Sequence, residues 1–308
     1  MTVAINDLKG ILLPTTTPFD PGGNISASGT TSNIKEWTAR GVIGFVVLGS
    51  TGERVHLDER EYLEVIEISR AASESHLIVG AGQQSTIGTI KEIKNAARAG
   101  AQAVLVITPY FYRPAITQET LVNYYTAIAD EAPVPVLLYS MPPLTGIKIE
   151  PETVARLSEH SNIIGVKDSS NDVAGFRRTV ELCPRDFAVM TGNGTVLLDA
   201  LRVGATGGIL AVGCVVPEVC VEIFRAFSAQ DERAERLQAE LSPLAAAVTT
   251  KYGIGGLKAA LDLAGYRGGA VRAPLRSPEE SAREEILGLL DRIDKMFQDI
   301  HVNHENIL

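Results

Sequence analysis

Cysteine is scarce in this chain: Cys183, Cys214 and Cys220 are the whole supply among 308 residues. Three thiols are too few, and too odd in number, for a disulfide framework, and they share no metal-like spacing with histidine. They read as buried apolar thiols of a reducing cytoplasm. Basic charge is also short. Lys and Arg number 28 against 37 Asp and Glu, a net charge of −9, so no basic face is expected for a nucleic acid. No run of ~18 apolar residues offers a membrane span. The first ten residues lack the basic-then-apolar pattern of a signal peptide. No GxGxxG or GxxxxGK[ST] stands where an apolar run gives way to a helix, which removes the usual nucleotide signatures. His301 and His304, beside Asn303 and Asn306, read as a solvated tail rather than a metal site. A disordered chain is excluded too, because 45% of residues are hydrophobic and only 21% charged.

What the chain does have is a rhythm. Short apolar runs rich in Val, Ile and Leu begin at positions 11, 44, 77, 103, 134, 163, 187 and 207, and they close near 19, 49, 82, 109, 140, 169, 192 and 213. Several are continuously apolar rather than alternating, the pattern of a strand covered on both faces. Helical periodicity fills the gaps. Asp58 stands as an N-cap, 86–99 runs into Gly100, 117–129 carries Leu121, Tyr124, Tyr125 and Ile128 on one face, and Pro151 opens another helix. Eight strands alternating with helices predict an α/β chain folded as a (β/α)8 TIM barrel. An open doubly wound sheet fits less well, since its glycine-rich first turn is replaced by Thr15-Thr16-Thr17-Pro18-Phe19. The barrel is expected over residues 1–228. Residues 229–308 form a C-terminal helical extension of the same structural unit, with helices near 231–249, 257–264 and 278–298; a helix near 218–227 completes the last barrel unit.

In such a barrel the chemistry sits where strands end. Lys167 is the strongest signal there, because an ammonium at the end of an apolar strand costs solvation unless it is paired or sheds its proton. A neutral amine in a dry site is a Schiff-base nucleophile. The alternative is a structural lysine salt-bridged to Asp168 or Glu53. Tyr139 ends the preceding strand, and adjacent strands lie ~4.8 Å apart, so its phenol can relay protons at the lysine or simply pack in the barrel. The turn Ser50-Thr51-Gly52 offers hydroxyls and backbone N–H groups that can cradle a carboxylate or cap the next helix. Period two puts Ser169 on the face of Lys167 and turns Asp168 away. Tyr110, Phe111 and Tyr112 form an aromatic cluster after the fourth strand, read as a packed loop or subunit contact.

Gly49-Ser-Thr-Gly-Glu53, Tyr139-Ser-Met-Pro-Pro-Leu-Thr-Gly146 and Gly165-Val-Lys-Asp-Ser169 together resemble the dihydrodipicolinate synthase/N-acetylneuraminate lyase superfamily. The resemblance implies a class I aldolase barrel that needs no metal or organic cofactor, works in the cytoplasm and assembles as a homotetramer of paired dimers. It implies catalytic roles for Lys167 (Schiff base with a small 2-oxo acid), Tyr139 (proton relay) and Ser50. It implies substrate contacts at Thr51 and Gly52, and the expected contacts extend to Ser169, Gly192, Ile209, Leu144 and Tyr110. Two positions depart from the synthases. Leu144 replaces an arginine that grips the second substrate's carboxylate, and Phe111 replaces a relay tyrosine, for which Tyr110 or Tyr112 is the available substitute. Tyr139-Ser140-x-Pro142, Lys167-Asp168-Ser169 and the stretch 247–275 resemble 4-hydroxy-2-oxoglutarate aldolase, although that enzyme often has Asn where Thr51 stands. The expected reaction is cleavage of 4-hydroxy-2-oxoglutarate or a related 4-hydroxy-2-oxo acid to pyruvate and an aldehyde. The alternatives are condensation of pyruvate with aspartate semialdehyde by a 4-hydroxy-tetrahydrodipicolinate synthase, a 2-keto-3-deoxy sugar acid aldolase, or a non-enzymatic 2-oxo acid sensor.

Overall fold

A strand buried on both faces needs neighbours on both edges and cover outside, and eight of them meet that need by closing on themselves. The computed structural model describes the backbone of residues 2–305 and the side chains through residue 297. Its strands are β1 (Gly10–Pro14), β2 (Gly44–Val47), β3 (His76–Ala81), β4 (Ala103–Ile107), β5 (Val136–Ser140), β6 (Ile163–Asp168), β7 (Ala188–Thr191) and β8 (Gly207–Ile209), all parallel and closed in sequence order. The seam between β8 and β1 is tight. A Cβ on Gly207 would fall 1.9 Å from the Gly10 carbonyl oxygen, so only glycine fits there.

The local signals operate as anticipated. Asp58 caps the helix Glu59–Ala72 and forms a capping box with Glu61. Pro151 opens Pro151–Leu157, and Thr86–Arg98 stops before Gly100. The first strand is shorter than its apolar run. It ends at Pro14, and the chain from Thr15 leaves the barrel rim until Phe19 bridges to Ile25 and Ala270.

The C-terminal helices are Arg233–Ala246, a π-helical stretch Ala247–Lys251, Gly253–Leu263 and Glu280–Glu305. One apolar cluster joins them to the barrel, with Leu241, Leu257 and Ile286 packed alongside Ile11, Val47 and Leu210. The backbone of the last helix carries His301 and His304; the expected solvated tail falls on their side chains, which lie outside the described residues. Cys214 and Cys220 are buried, whereas Cys183 is partly exposed. Burial pushes all three thiols up, Cys183 to about 11, which leaves them poor nucleophiles.

Candidate active site

Lys167 and Tyr139 are register partners on β6 and β5, so their side chains leave by the same face. The Lys167 Nζ sits 4.6 Å from the centre of the Tyr139 ring. Lys167 is only 5% exposed, yet among the described residues no carboxylate lies within ion-pair reach of it and no acceptor takes a hydrogen bond from it. The salt-bridge alternative therefore does not occur. Asp168 turns away, accepting the Ser170 N–H at 2.7 Å, and burial holds its carboxyl above the usual range. Glu53 is engaged elsewhere, 2.5 Å from the Nζ of Lys258.

The turn Ser50–Gly52 follows β2. Ser50 Oγ lies 3.5 Å from the Tyr139 hydroxyl, which links the turn to the strand-end pair. Thr51 is buried. The turn's own bonds run from the N–H of Gly52 to Gly49 and from the N–H of Glu53 to Ser50. The N–H groups of Ser50 and Thr51 have no partner within it, as at any helical first turn. Thr17 Oγ1 donates to the Gly52 carbonyl at 2.8 Å, and a Cβ on Gly52 would sit 3.2 Å from the Thr15 carbonyl. The turn is thus pinned against the loop after β1. Glu53 closes it with φ 54, a left-handed conformation that costs ~1–3 kcal/mol for a non-glycine residue. Its buried carboxylate offsets that strain through Lys258, the Arg272 N–H at 3.0 Å and His56 Nδ1 at 3.1 Å.

Gly192 follows β7 and lies against the lysine stem. A Cβ there would fall 1.9 Å from Ser169 Oγ and 2.7 Å from Lys167 Cε, so Gly192, Ser169 and Lys167 share one wall as expected. Ile209 ends β8 and packs in the inner-barrel cluster with Tyr139 and Met190. Ser50, Tyr110, Tyr139 and Leu144 line a single cavity of about 340 Å³. Of the tyrosines flanking Phe111, Tyr110 lines that cavity and Tyr112 does not. Phe111 and Tyr112 are each 70% exposed and meet edge to face at 5.0 Å.

Two groups of residues escaped sequence reasoning. Lys258 is buried among Glu53, the Thr17 carbonyl at 2.8 Å and the Ala270 carbonyl at 2.6 Å, and it tethers the C-terminal helices to the turn. Its signal was available, a lone lysine inside the apolar helix Gly253–Leu263. Val55, Ile254 and Leu275 also line the cavity, and they come from segments distant in sequence. Among the described residues, no group of three or more His, Cys, Asp or Glu is placed to hold a metal, and no helix is long and apolar enough to cross a membrane.

Known proteins resemble the chain over nearly its whole length. The dihydrodipicolinate synthetase family matches residues 7–293. The 4-hydroxy-tetrahydrodipicolinate synthase of Methanothrix thermoacetophila is 32% identical over 95% of this chain and 99% of its own. That of Methanopyrus kandleri is 36% identical over 90% and 93%. A prophage protein of the dihydrodipicolinic acid synthase family from E. coli K12, solved in complex with pyruvate, superposes with a TM-score of 0.87 at 28% identity, covering 93% of this chain and 98% of that one. Likeness of this extent runs through barrel and C-terminal helices alike, beyond what a shared barrel alone would give. The chain belongs to the dihydrodipicolinate synthetase family, as a carbon–carbon lyase of the class I aldolase type.

Proposed function

We propose that Lys167 forms a Schiff base with pyruvate or a close 2-oxo acid, and that the enzyme makes or breaks the bond from C3 of that acid to an aldehyde carbon. The observation that carries this reading is a lysine only 5% exposed whose amine has, among the described residues, no ion-pair or hydrogen-bond partner and stands against Tyr139, whose hydroxyl faces Ser50. The amine adds to the C2 carbonyl, and loss of water gives an iminium. The iminium accepts the electron pair released when a C3 proton leaves or when the C3–C4 bond breaks. In the joining direction, the resulting enamine attacks the aldehyde carbon and the aldehyde oxygen gains a proton. Hydrolysis of the iminium then frees the product and Lys167. Tyr139, with Ser50 behind it, is the proton relay for these steps. The N–H groups and hydroxyls at Ser50 and Thr51 are placed to receive the acid's carboxylate, with Gly192 and Ser169 setting the wall beside it.

The relatives' names favour the synthase reading, pyruvate with aspartate semialdehyde, over the cleavage of 4-hydroxy-2-oxoglutarate expected from the strand-end motifs. One observation keeps cleavage of other 4-hydroxy-2-oxo acids as a second reading: Leu144, on the cavity wall, offers no cation to an acceptor carboxylate. On the same footing we place the enzyme in the cytoplasm as a homotetramer in which residues 229–308 belong to the barrel's own unit. The Schiff-base step is tested without any aldehyde. In heavy water the protein is expected to exchange the C3 protons of pyruvate for deuterium, and Lys167→Ala is expected to lose this. Exchange that persists in a folded Lys167→Ala protein contradicts the proposal.

A further inference from the structure

The cavity beside Tyr139 suits the entry of the second reactant, because its lining brings Ser50 and Tyr139 together with Leu144 and Val55, both largely exposed. Its wall is mostly hydrocarbon: Val55, Ile107, Leu144, Ile254 and Leu275, with the ring of Tyr110. Two basic side chains line it, Arg54 and His56, and each faces a carboxylate; the exposed Arg113 guanidinium lies outside the lining, against Gly146. The Arg54 guanidinium pairs with Glu92 and lies 5.8 Å over the Tyr62 ring. Its Nε has no hydrogen-bond partner but is sealed from solvent. His56 Nδ1 sits 3.1 Å from the Glu53 carboxylate. Arg272, just behind, holds Glu61 and the carbonyls of Gly23 and His56. The hydroxyl of Thr145 is bonded to the backbone of Met141 and Ile147. With Ser50 assigned to the acid's carboxylate, what is left for a second reactant is the hydroxyls of Tyr139 and Tyr110, enough to hold one aldehyde oxygen. A carboxylate brought onto this wall would lose water without gaining a counter-charge, which is strongly unfavourable.

We infer that the aldehyde partner of this enzyme carries an uncharged, apolar side chain, so that the joined product is a 4-hydroxy-2-oxo acid with an apolar tail. The inference rests on the Schiff-base reading and departs from aspartate semialdehyde. The aldehyde carbon bonds to C3 of the enamine, its oxygen takes the proton relayed by Tyr139, and the apolar tail lies along Leu144, Ile254 and Leu275. No reductant or oxidant enters the step.

The test is a set of aldehydes offered with pyruvate: butanal and 2-methylpropanal against glyoxylate, 4-oxobutanoate and aspartate semialdehyde. Deuterium exchange at C3 of pyruvate is measured alongside for each protein. The wild type is expected to prefer butanal to 4-oxobutanoate at least tenfold in kcat/KM. Leu144→Arg, at a position 64% exposed and so tolerant of a longer side chain, is expected to shrink or invert that ratio. A wild type that prefers the carboxylated aldehydes, or that turns over none of the apolar ones while still exchanging C3 protons, overturns the inference alone. Absent C3 exchange in folded wild type removes the Schiff-base reading and the inference with it.

Discussion

The barrel mouth and the C-terminal extension each bury a lysine over an aromatic ring, and the two lysines are dissimilar in every other respect. Lys167 Nζ is 4.6 Å from the Tyr139 ring centre, and Lys258 Nζ is 4.4 Å from that of Phe19. Lys258 is 1% exposed and is answered on three sides, by Glu53, Thr17 and Ala270. Burial lowers its ammonium and Glu53 opposes that shift. Lys167 is nearly as buried but has no such company. A buried charge with a full set of partners is structural, because removing it strands the partners. A buried amine without partners is free to react, and its removal strands nothing. Burial alone does not mark a catalytic lysine; burial without satisfaction does.

The sharpest way to break this contrast is to exchange each lysine for methionine. Lys167→Met should lower turnover by at least about 10⁴-fold, as loss of a covalent nucleophile does, while the thermal midpoint stays level or rises. Steady-state kinetics and calorimetry on one sample check both halves. Lys258→Met should do the opposite, costing ~3–5 kcal/mol of stability by leaving the buried Glu53 carboxylate without its lysine, with only the Arg272 N–H and His56 beside it. Denaturant unfolding measures it, and adding Glu53→Gln should recover part of the loss. If the double variant is no more stable than the single one, Glu53 is not the partner that matters.

The same network should show in acid. Hydrogen bonds from Arg272 hold the Glu61 carboxyl at about 2, against an ordinary 4.5. A depressed folded value means the stabilisation is complete above 4.5 and is lost as pH falls from there through about 2. It should amount to roughly 2–3 kcal/mol, and Arg272→Gln should flatten the stability curve over that window. The smallest expected effect is at the active wall. Gly192→Ala places a methyl against Ser169 Oγ and Lys167 Cε, and about a tenfold fall in kcat/KM should appear with little change in stability.

How much of this could be read from the sequence follows from where each residue's partners lie. Lys167 and Tyr139 stand at the ends of adjacent apolar strands, so strand periodicity and barrel order alone bring them together. Ser169 and Gly192 follow from the same rule. The barrel itself was legible because eight apolar runs need no long-range information to be counted. Lys258 sits in an equally apolar segment, but its partners Thr17 and Glu53 lie in the loops after β1 and β2, and no local pattern encodes a contact spanning 241 positions. For the same reason the sequence leaves Glu53 open as a partner for Lys167, whereas in the fold it pairs with Lys258. The cavity wall was hidden likewise, with Ile254 and Leu275 delivered by the extension to a strand-end site.

One measurement tests the distinction between the two lysines most directly. The folded protein is incubated with pyruvate and borohydride, which reduces an iminium to a stable secondary amine, and the modified peptide is located by mass spectrometry. A single adduct on Lys167, with Lys258 unmodified, is the expected result. No adduct, or an adduct on Lys258, would contradict the account.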